Sequence, residues 1–216
     1  MIRLVCLAIG YAFGLFQTSY IIGKFHGIDI REHGSGNAGT TNMIRTLGTR
    51  WGLLTFVGDF LKSWLAVMLV GLLFSKTHGN MIPLLKLYAG AGAIIAHDFP
   101  FYLGFRGGKG VAATAGMAAA FDPLLLILGL AVFLAVAVPT RYVSAGSLSV
   151  YAAFFVLTVL MGLTGRFHMT QARLIELDVI AFLLAALCWW KHRENLKRLI
   201  AGTENKTHLF GHKEKD

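Results

Sequence analysis

The chain has 216 residues, of which 56% are hydrophobic and only 14% charged, and its mean hydropathy is +0.63. That composition excludes an ordinary soluble domain and places the chain in a membrane as one polytopic domain over residues 1–216. The net charge of +9 does not read as nucleic-acid binding, because the excess lies in juxtamembrane loops, where anionic headgroups and the rule of membrane orientation account for it.

A hydrocarbon core of roughly 30 Å needs about 20 apolar residues per helix. The first such run, Ile2 to Ile22, lacks a small-x-small cleavage site and reads as a retained helix rather than a signal peptide. A polar, turn-rich segment follows, 33–50, reading His33-Gly34-Ser35-Gly36-Asn37-Ala38-Gly39-Thr40-Thr41-Asn42 and then Arg45, Gly48 and Arg50. Its glycines permit close backbone approach, Ser35, Thr41 and Asn42 offer donors, and Arg45 offers a bidentate fork to a phosphate. A hydrated loop with a helix cap has the same composition.

The second and third runs are Leu53 to Phe74 and Met81 to Ala96. Asp59 and Lys62, three residues apart inside the second run, are expected to pair or to face a polar cavity, because charges inside a membrane are costly. The next segment, 97–110, reads His97-Asp98-Phe99-Pro100-Phe101-Tyr102-Leu103-Gly104-Phe105-Arg106-Gly107-Gly108-Lys109-Gly110 and enters the Ala-rich run Val111 to Phe121. Free N–H groups, a positive helix end and Lys109 together describe a phosphate site. It is not a Walker A loop, since Gly110 stands where a Ser or Thr would hold magnesium. The fourth run is short, and its small residues suit close helix contact.

Leu124 to Val138 and Leu148 to Leu163 are the next two runs, separated by a turn at 141–147 that contains Arg141, Ser144 and Ser147. The last, Leu174 to Trp190, leads into 191–206, with His192, Asn195 and Glu204. His192 and Asn195 are three apart and share a helix face. Cys6 and Cys188 are too few for a disulfide framework or a metal cluster and read as packing residues. Neither a metal nor a cofactor is expected.

About seven transmembrane helices result, in an all-α integral membrane fold. Fourteen of the twenty Lys and Arg residues fall in the segments 23–52, 97–110, 139–147 and the tail, against four on the other side. This bias puts the N-terminus outside and the C-terminus in the cytoplasm.

Taken together, Gly34-Ser35-Gly36-Asn37 with Gly39, Asn42 and Arg45, then Phe105-Arg106-Gly107-Gly108-Lys109-Gly110-Val111-Ala112, then His192-Arg193-Glu194-Asn195 through Gly202-Thr203-Glu204, resemble three motifs. They are those of the bacterial acyl-phosphate:glycerol-3-phosphate acyltransferases, the PlsY-type membrane family. The match covers nearly the whole chain. Three positions depart from the family pattern: Ala38 stands where proline is common, Ala96 where glycine often precedes the His, and Ala113 where threonine is usual.

The resemblance implies acyl transfer from acyl phosphate to the sn-1 hydroxyl of glycerol 3-phosphate, giving lysophosphatidic acid and phosphate at the cytoplasmic face of the bacterial inner membrane. It implies catalytic roles for His192 and Asn195, and substrate contacts from Ser35, Thr41, Arg45, Gly107, Gly108, Lys109, Gly110, Ser144 and Ser147, with Glu204 holding the tail. The expected partners are glycerol 3-phosphate, a fatty acyl phosphate and membrane lipids, with no obligate protein partner.

A transporter of a phosphorylated metabolite is the main alternative, but it would need access from both sides, and the dense polar segments share one side. A magnesium-dependent phosphotransferase would need clustered carboxylates, whereas Asp29, Glu32, Asp98, Glu194 and Glu204 are dispersed. No Asp stands five residues after any His, so the pair expected of unrelated thioester-using acyltransferases is missing.

Overall fold

The computed structural model describes residues 1–206. Lys213 and Lys215, counted above among the cytoplasmic cations, lie outside the described residues. Among those described, the chain is helical throughout: α1 Ile2–Gly14, α2 Thr18–Phe25, α3 Thr40–Leu47, α4 Thr49–Phe74, α5 Ile82–Asp98, α6 Val111–Phe121, α7 Pro123–Thr140, α8 Val143–Leu163, α9 Gln171–Lys191 and α10 Arg193–Ile200.

Five stretches are long and apolar enough to cross a membrane: Ile2–Phe25, Thr49–Phe74, Gly79–Leu103, Pro123–Thr140 and Val143–Leu163. The other two expected spans meet only one criterion each. α6 is apolar but has 11 residues, and α9 has 21 but carries Arg173, Glu176 and Asp178.

The first run is not one helix. α1 ends at Gly14 and α2 starts at Thr18, so the expected continuous span from Ile2 to Ile22 is broken in its C-terminal third. A break inside an apolar segment frees backbone carbonyls that must find other donors. The buried Gln17 supplies one, its amide donating toward Gly14 O, Ala96 O and His97 O at 3.2 Å each. Lys62 of α4 supplies another, donating to Phe16 O at 2.7 Å.

α1 and α5 run parallel and touch backbone to backbone. A Cβ on Gly10 or Gly14 would collide with the Ala89 or Ala93 backbone, and one on Gly92 would collide with Leu7 O. In a membrane, where apolar burial no longer separates helices from lipid, such close van der Waals approach supplies much of the attraction. α6 uses the same device against α4, Gly116 sitting over Phe60 O. The small residues of the short helix therefore serve contact, as expected.

The core between these helices is closed by Leu84, Leu87, Ile94, Met117, Tyr151 and Phe154. α6 is pinned at its C-terminal end: Lys86 of α5 donates to Ala120 O at 2.9 Å, and Asp122, which follows it, caps the start of α7 through Leu124 N at 3.0 Å. Its N-terminus points the other way, to the end of the bundle where the polar segments gather.

Candidate active site

The glycine segment begins later than its sequence suggests. His97 and Asp98 are still the last turn of α5, and a 3-10 turn, Phe101–Leu103, intervenes before Gly104. The backbone then folds back under α5, with Gly107 N donating to Asp98 O at 3.2 Å and Gly108 N to His97 O at 3.1 Å. These two N–H groups, expected to meet a phosphate, are thus committed within the protein. Those left for a ligand belong to Gly110 and the first turn of α6, which have no intrahelical acceptor.

Gly110 caps α6 with φ +76°, a region in which a side chain is strained. A Cβ there would also crowd Ile94 at 3.0 Å, the Tyr151 hydroxyl at 3.1 Å and Asp98 Oδ1 at 3.3 Å.

Lys109 leaves this loop toward α10 and donates to Asn195 Oδ1. Asn195 in turn donates to Glu204 Oε1 at 2.7 Å, Ser144 Oγ donates to the same oxygen at 3.0 Å, and Arg198 Nε donates to Glu204 Oε2 at 2.7 Å. Glu204 therefore ties the tail to α8 and α10. Burial, and after it the charge of Arg198, lowers the Lys109 ammonium to about 8, with Glu204 working in the opposite direction.

His192 is the joint between α9 and α10, with φ −98° and ψ +7°. Its Nδ1 lies 2.9 Å from Cys188 O. A carbonyl only accepts, so Nδ1 carries the proton and Nε2 keeps its lone pair. Burial, then the charge of Lys109, holds the ring down to about 4, so it is neutral at physiological pH.

The two serines expected in the 141–147 turn lie instead on the first turns of α8, which starts at Val143. Ser147 Oγ donates back to Val143 O at 2.8 Å, so its proton is spent on its own helix. Ser144 is the one that reaches the cluster, through Glu204.

The first polar segment forms its own small unit. The buried Asn42 accepts from Ser35 N at 2.8 Å and donates to Ile30 O and His33 O at 3.1 and 2.9 Å, holding the turn around a core of Ile30, Ala38 and Met43. Ser35 and Arg45 are exposed and Thr41 is half-buried; among the described residues none of the three makes a side-chain hydrogen bond. The segment meets the glycine loop at two points: Ala38 O lies 3.0 Å from where a Gly108 Cβ would stand, and Arg31 donates to Leu103 O at 2.7 Å. Arg31 is itself held by Asp29, whose carboxyl the guanidinium lowers to about 2.

Residues without an assigned role in the sequence also join the site. Arg198, three positions beyond Asn195, offered only a helical spacing as a signal. Lys191 Nζ donates to Asp98 O at 3.0 Å and stacks over Phe99. The Asp98 carboxylate, 1% exposed, takes no hydrogen bond among the described residues. Nothing in the sequence marks that burial.

The sequence and the fold have counterparts among known proteins. A family model described as glycerol-3-phosphate acyltransferase matches residues 4–202. A glycerol-3-phosphate acyltransferase of Clostridioides difficile is 40% identical over 94% of both chains, and one of Halalkalibacterium halodurans is 41% identical over 93% of both. The crystal structure of PlsY, an integral membrane glycerol 3-phosphate acyltransferase, in its glycerol 3-phosphate form superposes with a TM-score of 0.81 at 30% identity, covering 95% of this chain and 96% of that one. Its lysophosphatidic acid form gives 0.78 at the same identity, covering 95% of each chain. The chain belongs to the glycerol-3-phosphate acyltransferase family.

Proposed function

We propose that the protein transfers a fatty acyl group from acyl phosphate to the sn-1 hydroxyl of glycerol 3-phosphate, forming lysophosphatidic acid and inorganic phosphate. This is the first acylation of phospholipid synthesis, and on this reading it occurs at the cytoplasmic face of the bacterial inner membrane. The observation that carries the reading is the convergence of Lys109, Arg198 and the open N-terminus of α6 beside the neutral His192. Cations and a helix N-terminus hold phosphate. The glycerol 3-phosphate and lysophosphatidic acid forms of the solved relative agree with such a ligand.

Acyl phosphate is an activated donor, so positioning and charge stabilisation suffice and no nucleophilic side chain is needed. The sn-1 oxygen attacks the acyl carbon, the bond from that carbon to the bridging phosphate oxygen breaks, and phosphate leaves. Lys109 and the first N–H groups of α6 take up the charge on the leaving phosphate. The hydroxyl proton passes to a phosphate oxygen or to Nε2 of His192, whose lone pair is free. Asn195 orients Lys109, while Ser35, Thr41 and Arg45, exposed or half-buried on the adjoining segment, close on the second phosphate.

The test is incubation of the detergent-purified protein with acyl phosphate and labelled glycerol 3-phosphate, with no added metal. Labelled lysophosphatidic acid is expected from the wild type and not from Lys109→Ala. Folded wild-type protein that forms no product overturns the reading, and a trapped acyl-enzyme overturns direct attack.

A further inference from the structure

The buried polar cluster beneath the glycine loop has no part in the chemistry above. Asp59 and Lys62 of α4 and His97 of α5 have side chains no more than 4% exposed. Lys62 Nζ has three partners: Phe16 O at 2.7 Å, His97 Nδ1 at 2.8 Å and Asp59 Oδ1 at 2.9 Å. Asp59 Oδ1 also accepts from Thr18 Oγ1 at 3.1 Å. An ammonium has three protons and no lone pair, so this one is saturated and points in a single direction.

The histidine tautomer follows. A charged lysine cannot accept, so Nδ1 of His97 must, and the ring proton sits on Nε2. That edge abuts the glycine loop: a Cβ on Gly108 would collide with Nε2 and stand 2.7 Å from Cε1. The backbone of the same residue closes the arrangement, His97 O accepting from Gly108 N at 3.1 Å. His192 carries the opposite tautomer, with its proton on Nδ1.

We infer that Asp59 and Lys62 fix His97 in the Nε2–H form, and that His97 is a positioning residue which sets the glycine loop, through Gly108, at the height from which Lys109 and Gly110 meet the substrate phosphate. The inference rests on reading that loop as the phosphate site. The Asp59–Lys62 pair within α4, costly to bury inside a membrane on charge alone, then has a use: it transmits the register of α4 to the loop. A ring free to flip would expose an unprotonated nitrogen to Gly108 and loosen the loop.

Two measurements test this. The first is 15N NMR of histidine-labelled, wild-type protein in detergent, with the His97 signals identified by their loss in His97→Gln. Protonation at Nε2 with Nδ1 bare is expected, and a ring protonated at Nδ1 overturns the proposal.

The second is kinetic. Lys62→Met and His97→Asn are expected to raise KM for acyl phosphate about tenfold, the scale of one hydrogen bond to a charged ligand, with kcat within about threefold. His97→Gln, whose amide nitrogen reaches the place of Nε2, should recover most of that loss. Equal KM in wild type and His97→Asn, or an identical loss in Asn and Gln variants, overturns the positioning role. Failure of the wild type itself to turn over glycerol 3-phosphate strikes instead at the phosphate-site reading, so the two failures are distinguishable.

Discussion

The two ends of the helix bundle treat charge in opposite ways. At the end remote from the glycine loop, Arg3 meets Glu176 at 2.5 Å, with Tyr88 donating to the same carboxylate at 2.7 Å, and Arg166 meets Asp122 at 2.5 and 3.0 Å. Lys86 is set on the C-terminal carbonyls of α6, where a cation suits the helix dipole. At the other end Lys109, Lys191 and Arg198 gather around one hydrogen-bonded carboxylate, Glu204, and the unbonded Asp98. One end balances its charges within the protein and so holds helices together. The other keeps a cationic surplus that an anionic ligand can balance.

Substitutions at the two ends should separate these roles. Lys109→Ala should lower kcat/KM at least about a hundredfold, as loss of a buried charge-assisted contact to phosphate does, with little change in the melting temperature; product formation and thermal unfolding in detergent measure both. Glu204→Gln should cost about tenfold, because a neutral amide holds Arg198 and the Asn195–Lys109 contact less firmly. Limited proteolysis should then cut the tail faster.

The surplus also has a pH signature. Lys109 is charged below about 8, so KM for acyl phosphate should rise as pH increases through that value, about tenfold between pH 7 and 9. His192, neutral down to about 4, should put no inflection between pH 6 and 9 into the same profile. A KM flat across the basic range would remove Lys109 as the titrating phosphate ligand. The smallest effect on turnover belongs to the remote end: Glu176→Gln should lower the melting temperature and leave kcat/KM unchanged.

Most of the element plan was legible because hydropathy and helix-start signals are local. The membrane character, the apolar runs and the glycine segment opening the α6 helix at Val111 can be read within windows of about twenty residues. The order of the three motifs likewise pointed to Lys109, Asn195 and Glu204, and the structure joins them in one chain of hydrogen bonds. Asp59 and Lys62 pair as their spacing suggested.

Departures from that reading come where a group has two candidate partners, one near in sequence and one far. Ser144 and Ser147 look alike in the chain, yet one donates to Glu204, 60 residues on, and the other to its own helix. Gly107 and Gly108 resemble phosphate ligands until their N–H groups find the carbonyls of Asp98 and His97. The first apolar run reads as one span, and its break is stabilised by Gln17 and by Lys62, which comes from another helix.

The sequence by itself determined that the chain spans a membrane as helices, and where its polar, glycine-rich segments fall between them, because apolar length and residue type act locally. Only the tertiary structure decided which hydroxyl, which N–H and which histidine nitrogen remains free for a ligand. Hydrogen-bond valence is finite, and which partner uses it up depends on contacts between residues far apart in the chain.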